Sequence, residues 1–213
     1  MTNTCIITGT DTDIGKTVVA AMLTLALKGT YWKPVQCGIE GGVDTKAVQK
    51  MTGLPAERFL PEGYVLSEPL SPHRAAEIDE TEIDVDALTI PESEGPLIIE
   101  GAGGLMVPLT RQNLLVNLFK KWNEDAHVPV ILVARTGLGT INHTLLSLEA
   151  LWSRKIPVHG IIFVGDENED NMATIHGFSD VKVLGRLPIL DSLDATGLTN
   201  AFEENFNIED FVK

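Results

Sequence analysis

A glycine-rich segment close to the amino terminus constrains this chain more than any other feature. Residues Gly9–Thr17 read GTDTDIGKT; the apolar run Cys5–Ile7 lies just before them and the apolar pattern Val18–Leu27 follows. A short strand, a glycine-rich loop that ends in Gly-Lys-Thr and then a helix is the layout of a phosphate-binding P-loop. Five residues separate Gly9 from Gly15, where the common loop has four. The segment therefore predicts a nucleotide phosphate site at the start of the first helix.

Two side chains of this loop have the chemistry that a metal-bound triphosphate requires. Lys16 would place its ammonium on the β- and γ-phosphates, and the hydroxyl of Thr17 would ligate Mg²⁺. A coincidental Gly-Lys-Thr ahead of a helix would leave both residues without that role. The strand before the loop and the helix after it favour nucleotide binding over coincidence.

Composition limits both the size of the fold and its partners. The 213 residues are 44% apolar, and the formal net charge is −14. This apolar fraction in a chain of this length predicts one well-buried domain, residues 1–213. The negative charge argues against nucleic acid or an anionic membrane as a partner, because both repel an acidic protein. An anionic nucleotide must therefore be attracted locally, by lysines and helix amino termini.

The start of the chain and its cysteines predict a reduced, cytoplasmic protein. Met1–Asn3 leads straight into a strand, without the pattern of a secretory signal. The longest mostly apolar run, Val18–Leu27, is about half the length that a membrane span needs. Cys5 and Cys37 give neither a disulfide framework nor the spacing of metal ligands.

Apolar runs and amphipathic patterns alternate along the chain. We predict strands at Thr4–Thr8, Tyr31–Lys33, Leu97–Glu100, Val128–Ala134, Val158–Val164 and Val181–Leu184. We predict helices at Lys16–Lys28, Asp44–Met51, Leu114–Trp122, Ile141–Trp152 and Leu198–Phe206. Several strands are continuously apolar, which is typical of strands buried on both faces. The predicted fold class is α/β, a mostly parallel sheet with helices on both faces, whose ligands bind beyond the carboxyl ends of the strands.

Charged residues extend the phosphate site. Glu100 ends a buried strand, with a glycine-rich turn predicted directly after it, which is the place of the Mg²⁺-binding carboxylate in a P-loop protein. An acid that only caps the strand above a tight turn is the alternative interpretation. Lys33 precedes Pro34, so the chain cannot continue into a helix there, and Lys33 projects from a turn beside the P-loop. Spacing alone leaves a surface position for Lys33 equally open. Asp44 opens a helix, where the helix dipole alone would explain an acid.

The segment Arg74–Pro96 differs from the rest of the chain. It carries many acids, and no lysine or arginine follows Arg74 until Arg111. Such a block of charge predicts a solvated connection with a short helix, rather than a second domain or a cluster of metal ligands.

Five blocks of the sequence, taken together, resemble the dethiobiotin synthase family. They are Gly9–Thr17, Lys33–Gly38, Ser71–His73, Glu100–Gly104 and Gly139–His143. The resemblance runs from the first strand to about Pro188, and the five-residue gap in the P-loop is the family's own pattern. It implies an enzyme that uses ATP, Mg²⁺ and CO₂ to convert 7,8-diaminononanoate to dethiobiotin. The reaction would pass through a carbamate and a carbamic–phosphoric anhydride before the ureido ring closes.

The same resemblance implies a role for each residue of the site. Lys33, Lys16 and Thr12 would be catalytic, and Thr17, Asp44 and Glu100 would hold Mg²⁺. The nucleotide would bind Asp13, Ile14, Gly15, Lys16, Thr17, Val18, Glu100, Gly101, Ala102, Gly103, Gly165, Asp166, Pro188, Ile189 and Leu190. The diamine would bind Thr12, Lys33, Cys37, Gly139, Thr140, Ile141 and Asn142, the last four from the second subunit of a homodimer.

Three features depart from the family's pattern. Position 37 is Cys, where the family has a small hydroxyl residue, and the connection before Leu97 is short. Gly165 stands where the family commonly has Asn at the adenine. Without that side-chain amide, recognition of the base must come from Asp166 or from backbone groups around Gly185–Leu190, which predicts weak base selectivity.

Two other classes of P-loop protein remain as alternatives. A partition-type switch ATPase would carry an additional lysine near the start of the P-loop, where Thr10–Thr12 has none. An amide-forming enzyme of the cobyric acid type needs a second, glutamine-hydrolysing domain, for which 213 residues leave no room. The five histidines are scattered without ligand spacing, so no zinc site is predicted.

Overall fold

Parallel strands form the centre of the fold. The computed structural model describes residues 4–212. Its strands are β1 Cys5–Gly9, β2 Thr30–Trp32, β3 Val35–Cys37, β4 Tyr64–Leu66, β5 Leu97–Gly104, β6 Val130–Arg135, β7 Val158–Val164 and β8 Val183–Leu187. Six of them form one sheet in the order β2-β5-β1-β6-β7-β8, with every neighbouring pair parallel. β3 and β4 pair separately as a small parallel sheet.

Helices connect the strands. They are α1 Lys16–Ala26, α2 Asp44–Thr52, α3 Pro72–Ile78, α4 Leu115–Ala126, α5 Thr140–Trp152, α6 Glu169–Ser179 and α7 Ala195–Asn205. Short 3-10 turns occur at Ala56–Arg58 and Ile208–Asp210. Within residues 4–212, no helix is both long and apolar enough to cross a bilayer.

Both faces of the large sheet are covered, which explains its continuously apolar strands. Along β1, Ile7 packs in one cluster with side chains of α1, α2 and α7, whereas Ile6 packs on the other face with α3, α4 and α5. Towards β7 the second face is completed by α5 and α6, which cover Phe163 and its neighbours. The predicted fold class, a mostly parallel sheet with helices on both faces, is therefore confirmed.

The topology places one strand end at the centre of the molecule. β1 lies between β5 and β6, and the chain builds the sheet first on one side of β1 and then on the other. Ligands of open parallel sheets bind at such a reversal, beyond the carboxyl ends of the strands. The loop Gly9–Thr17 follows β1 at that point.

The structure corrects several predicted bounds. Strand β5 runs on through the glycines to Gly104, which pairs with Gly9, so this segment is not a turn. Predicted strand Tyr31–Lys33 is β2, which ends at Trp32, and a separate short strand begins at Val35. The last strand is shifted from Val181–Leu184 to Val183–Leu187. The short helix expected in the acidic segment Arg74–Pro96 is α3, which begins two residues before that segment, at Pro72.

One helix was missed altogether. α6 buries a single side chain, Ile175, so its sequence lacks a clear apolar stripe. Its start did carry a signal, because the Asn168 side chain accepts a hydrogen bond from the backbone N–H of Asn171 at 3.1 Å, as an N-cap does.

Close packing between β7 and β8 yields a stability prediction. A Cβ at Gly160 would lie 2.5 Å from Leu184 Cγ and 2.8 Å from the Lys182 carbonyl oxygen. Gly160→Ala should therefore lower the free energy of unfolding by about 1–3 kcal/mol, as overpacking does. Gly177→Ala is the matched control, since Gly177 lies within α6 with nothing within 4 Å of its Cβ position. It should raise the free energy of unfolding by about 0.4–1 kcal/mol. Urea titration measures both, and equal midpoints for the two variants would contradict this account of the packing.

Candidate active site at the carboxyl edge of the sheet

The loop after β1 has the backbone conformation of an anion site. Gly15 immediately precedes α1 with φ 94°, and Asp13 also has a positive φ, 53°. A Cβ at Gly9 would lie 2.5 Å from Ile14 Cδ1, so a larger residue there would displace the Ile14 side chain. No side chain caps the amino terminus of α1. Its first N–H groups and the positive end of its dipole are therefore available to a phosphate.

Lys16, at the end of this loop, forms no ion pair with a carboxylate of residues 4–212. It is buried, and its Nζ donates to the Asp11 carbonyl oxygen at 2.6 Å. Burial lowers the pKa of Lys16 to about 8, and the negative charge of Glu100 opposes that shift. A buried ammonium bonded to a neutral carbonyl gains strongly from an approaching phosphate.

Glu100 is the centre of the site. Only 1% of its surface is exposed, and it accepts three hydrogen bonds from side chains. Thr17 Oγ1 donates to Oε1 at 2.9 Å, and Lys33 Nζ donates to the same oxygen at 2.8 Å. The Tyr31 hydroxyl donates to the other oxygen, Oε2, at 2.8 Å. Three separate elements, β2, α1 and the turn after β2, thus meet on one carboxylate.

Lys33 is buried between two acids. It lies between β2 and β3, and its Nζ contacts Asp44 Oδ2 as well as Glu100 Oε1. Burial acts to lower the pKa of Lys33, but the charges of Glu100 and Asp44 outweigh it, so the pKa is raised above its ordinary value. The lysine therefore stays charged, and the structure excludes the alternative of a surface position.

Asp44 is held by Gln36, a residue of strand β3. Its backbone N–H donates to Gln36 Oε1 at 3.1 Å, and Gln36 Nε2 donates to the carbonyl oxygens of Cys37 and Gly38, both at 3.1 Å. Gln36 is buried, so it ties the start of α2 to the end of β3. The Asp44 carboxylate remains about one third exposed, on the open side of the cluster.

The donor set of this cluster fits Mg²⁺. A threonine hydroxyl and two carboxylates are hard oxygen ligands, and Mg²⁺ is commonly held by one or two carboxylates together with phosphates and water. Thr17 and Glu100 already touch, and Glu100 and Asp44 already share one positive charge, the Lys33 ammonium. Residues 4–212 contain no group of three or more His, Cys, Asp or Glu that could hold a metal unaided. Phosphate oxygens would therefore have to complete the site.

The end of β5 lies against the P-loop. A Cβ at Gly103 would be 3.4 Å from Thr12 Oγ1, and a Cβ at Gly101 would be 2.9 Å from the ring of Phe119. Thr12 itself is exposed, whereas Gly101 is buried. Ala102, between Gly101 and Gly103 in β5, is half-buried. Val18, in the first turn of α1, is half-buried as well.

Gly165 and the segment after β8 meet at the far side of the loop. The Gly165 N–H donates to the Leu187 carbonyl at 3.0 Å, and Arg186 Nη1 donates to the Gly165 carbonyl at 2.9 Å. Pro188, Ile189 and Leu190 follow Leu187 directly, and Asp166, the residue after Gly165, is exposed. Gly165 has φ 130°, and a Cβ there would lie 2.7 Å from Thr136 Oγ1. Both observations explain why this position carries glycine.

The residues Gly139–Asn142 start α5 after β6. Gly139 has φ 92°, and the Thr140 hydroxyl donates to the Arg135 carbonyl at 2.5 Å. The Arg135 guanidinium donates to the carbonyl oxygens of Thr12 and Asp13, at 3.1 and 3.3 Å. Arg135 therefore links this helix start to the P-loop. Ile141 is half-buried and Asn142 is exposed.

The two cysteines of the chain are neutral. Its thiol is partly buried, and burial raises its pKa to about 11, so it is a neutral thiol rather than a thiolate. Cys5, on β1, is buried and its pKa is raised to about 12 by burial.

Sequence reasoning missed four residues that shape this site. They are Tyr31, Gln36, Arg135 and Thr136. Gln36 lies inside one of the blocks that carry the family resemblance, which was a usable signal. The other three depend on how neighbouring strands align, which a single sequence does not reveal.

Comparison with known proteins identifies the family. A relative from Rhodopseudomonas palustris (strain HaA2), named ATP-dependent dethiobiotin synthetase, is 54% identical over 213 residues, 100% of this chain and 98% of the relative. Relatives of the same name from Brucella anthropi and Novosphingobium aromaticivorans are 54% and 51% identical, covering 99% and 97% of this chain and 98% of each relative. The chain belongs to the ATP-dependent dethiobiotin synthetase family. A family model described as AAA domain also matches residues 3–196.

Solved structures agree on the fold. A septum site-determining protein MinD from Pyrococcus horikoshii, complexed with Mg-ADP, superposes with a TM-score of 0.54 at 13% identity, over 94% of this chain and 95% of that one. A putative plasmid partition protein from Borrelia burgdorferi gives a TM-score of 0.51 at 10% identity, over 97% and 92%. At such identities the likeness shows the fold alone, that of the P-loop NTPases. In this chain, the fold carries the cluster around Glu100.

The buried lysine of the cluster yields a prediction. Lys33→Met keeps the length and apolar stem of the side chain but leaves Glu100 and Asp44 without their shared counter-charge. Removing one partner of a buried ion pair costs about 3–5 kcal/mol of folding free energy. Lys120→Met is the matched control, because Lys120 makes only an exposed 3.5 Å pair with Glu124 and should lose less than about 1 kcal/mol. Urea unfolding of the ligand-free variants measures both, and a similar loss in the two would refute the buried pairing.

Proposed function

We propose that this protein is a dethiobiotin synthetase, a ligase of biotin biosynthesis that uses ATP, CO₂ and 7,8-diaminononanoate. One amine of the diamine attacks the carbon of CO₂ and loses a proton, which gives a carbamate. A carbamate oxygen takes the γ-phosphoryl group of ATP, and ADP leaves. The second amine then attacks the carbamoyl carbon, phosphate leaves, and the ureido ring closes. The products are dethiobiotin, ADP and phosphate.

One observation carries the proposal: a second buried lysine lies on the same carboxylate as the P-loop threonine. For nucleotide binding or hydrolysis alone, the P-loop lysine, here Lys16, is sufficient to hold the phosphates. A second ammonium beside Glu100, that of Lys33, is useful when a second anion must approach the γ-phosphate. A carbamate is such an anion, and Lys33 would stabilise both its charge and the charge that develops during transfer.

Phosphoryl transfer needs alignment and charge neutralisation more than covalent help from the protein. Lys16 and the amino terminus of α1 would hold the β- and γ-phosphates, while Thr12 at the mouth of the loop would contact the carbamate. Thr17, Asp44 and Glu100 would hold Mg²⁺, directly or through water. The ion would neutralise the phosphate oxygens when bound.

The substrate's far end requires a second subunit in our proposal. The carboxylate of the diamine would be bound by N–H groups of Gly139–Asn142 at the start of α5, contributed by the partner in a homodimer. The exposure of Gly139 and Asn142 is consistent with a role at such an interface. We place the reaction in the cytoplasm, where ATP and reduced thiols such as Cys37 are maintained.

The partition-type alternative is not favoured by any residue of the site. The likeness to partition and septum-site proteins lies at 10–13% identity and reflects the shared fold. Relatives above 50% identity over nearly the whole chain are named ATP-dependent dethiobiotin synthetase instead. The segment Thr10–Thr12 also lacks the additional lysine expected of a partition ATPase.

Coupled turnover tests the proposal directly. With ATP, Mg²⁺ and bicarbonate, ADP release should require the diamine, because the phosphoryl acceptor forms only from its amine and CO₂. The measurement is ADP formation with and without 7,8-diaminononanoate, together with mass detection of the ureido product. ADP formation at the full rate without the diamine would favour a switch ATPase.

Base selectivity tests the assignment of Gly165, Asp166 and Pro188–Leu190. No side-chain amide is present at position 165, and phosphate contacts are the same for every nucleoside triphosphate. GTP or CTP should therefore support turnover within roughly tenfold of ATP, about 1.4 kcal/mol. Steady-state kcat/KM with each nucleotide provides the comparison. A preference for ATP of well over a hundredfold would mean that other groups read adenine.

A further inference from the structure

The third donor on Glu100 has no part in the phosphate chemistry described above. Thr17 and Lys33 both donate to Oε1, whereas the Tyr31 hydroxyl alone donates to Oε2, at 2.8 Å. Tyr31 thus holds the oxygen that faces away from the converging Thr17 and Lys33 side chains. Tyr31 is fully buried, so it joins the cluster from the core side of Glu100.

The position of the Tyr31 hydroxyl is set by the core. Tyr31 lies on β2 and pairs with Ile98 of β5. Ile98 comes two residues before Glu100 on β5. Its carbonyl accepts from the Leu60 N–H at 2.9 Å, and its ring lies 6.3 Å from the ring of Phe59. The side chain packs in the same buried cluster as α1 and α2. The direction of the Tyr31 hydroxyl is therefore set by core packing and not by a ligand bound near Oε1 of Glu100.

We propose that Tyr31 is a positioning residue for the metal-binding carboxylate: by holding Oε2, it aims Oε1 of Glu100 at the place where Thr17 and Lys33 converge. This inference rests on the proposed function, because Glu100 is a Mg²⁺ ligand only there. A carboxylate bonded on Oε1 alone could rotate about its last torsion, which is broad and soft. The hydroxyl is a neutral donor, so it fixes that torsion without competing with the cation for the charge of Glu100.

Groups that orient a metal ligand commonly change metal affinity by 10–100-fold when removed. Tyr31→Phe keeps the buried ring and removes only the hydroxyl, which leaves Glu100 Oε2 without its donor. We expect the extra ADP affinity that Mg²⁺ provides to fall about 10–100-fold in this variant. ADP affinity measured in EDTA should stay within about twofold of the unchanged protein, because the P-loop contacts do not involve Tyr31.

Tyr64→Phe is the matched control. Tyr64 lies on β4, and its hydroxyl accepts from the backbone N–H of Asp84 at 2.9 Å, so this variant also loses one tyrosine hydrogen bond. Isothermal titration of ADP, with excess Mg²⁺ and with EDTA, gives both dissociation constants for each protein. Tyr64→Phe should leave both constants unchanged.

A double variant separates positioning from a general structural role. If Tyr31 acts through Glu100, Tyr31→Phe should cause no further loss of the Mg²⁺ response in a Glu100→Gln background. An undiminished Mg²⁺ response in Tyr31→Phe would overturn this inference alone. An equal loss with and without Mg²⁺ would also overturn it, since that is the mark of a structural defect. Nucleotide binding that ignores Mg²⁺ in the unchanged protein would overturn the magnesium site of the proposed function as well.

Discussion

The site depends on one buried carboxylate and the charge that accompanies it. Glu100 is almost fully enclosed, and such an anion persists inside a protein only when its lone pairs are bonded and its charge is compensated. Tyr31 and Thr17 provide hydroxyl donors, and Lys33 provides the compensating charge, which it shares with Asp44. The same arrangement that makes the acid tolerable brings together a hydroxyl, two carboxylates and a lysine at one point. The residues that satisfy Glu100 are therefore also the ones that we propose as ligands of a magnesium–phosphate complex.

The topology explains why these groups meet. β5, which carries Glu100, lies between β2 and β1, so Tyr31 and Lys33 approach it from one side and Thr17 from the other. Parallel strands deliver all of these residues to the same edge. After β2 the chain forms the small β3–β4 sheet, and Gln36 of β3 holds the start of α2. Asp44 is thereby placed against the Lys33 ammonium. Helix α1 adds its amino terminus, which turns the edge into an anion site.

Much of this could be read from the sequence, and the rest could not, for definite physical reasons. Glycine spacing and the end of a buried strand predicted the P-loop and Glu100, because both restrict local backbone geometry. Lys33 and Asp44 were assigned to the site only through the family resemblance, since spacing left Lys33 equally open as a surface residue and the helix dipole alone explained Asp44. Helix α6 escaped prediction because one buried side chain makes no periodic stripe. The short strand β3 was missed because Val35–Cys37 has one polar residue among three and no continuous apolar run. Tyr31 looked like an ordinary strand aromatic, and its bond to Glu100 exists only through the register between β2 and β5. That register is set by tertiary packing.

The most direct test of this account is a crystal structure with Mn²⁺ and a non-hydrolysable ATP analogue, with the metal located by its anomalous scattering. The account predicts one peak at about 2.0–2.4 Å from Thr17 Oγ1, with Glu100 and Asp44 bound to it directly or through water. Lys16 should lie on the β- and γ-phosphates, and Lys33 should face the γ-phosphate. A metal held by other side chains, with phosphates away from the start of α1, would contradict it.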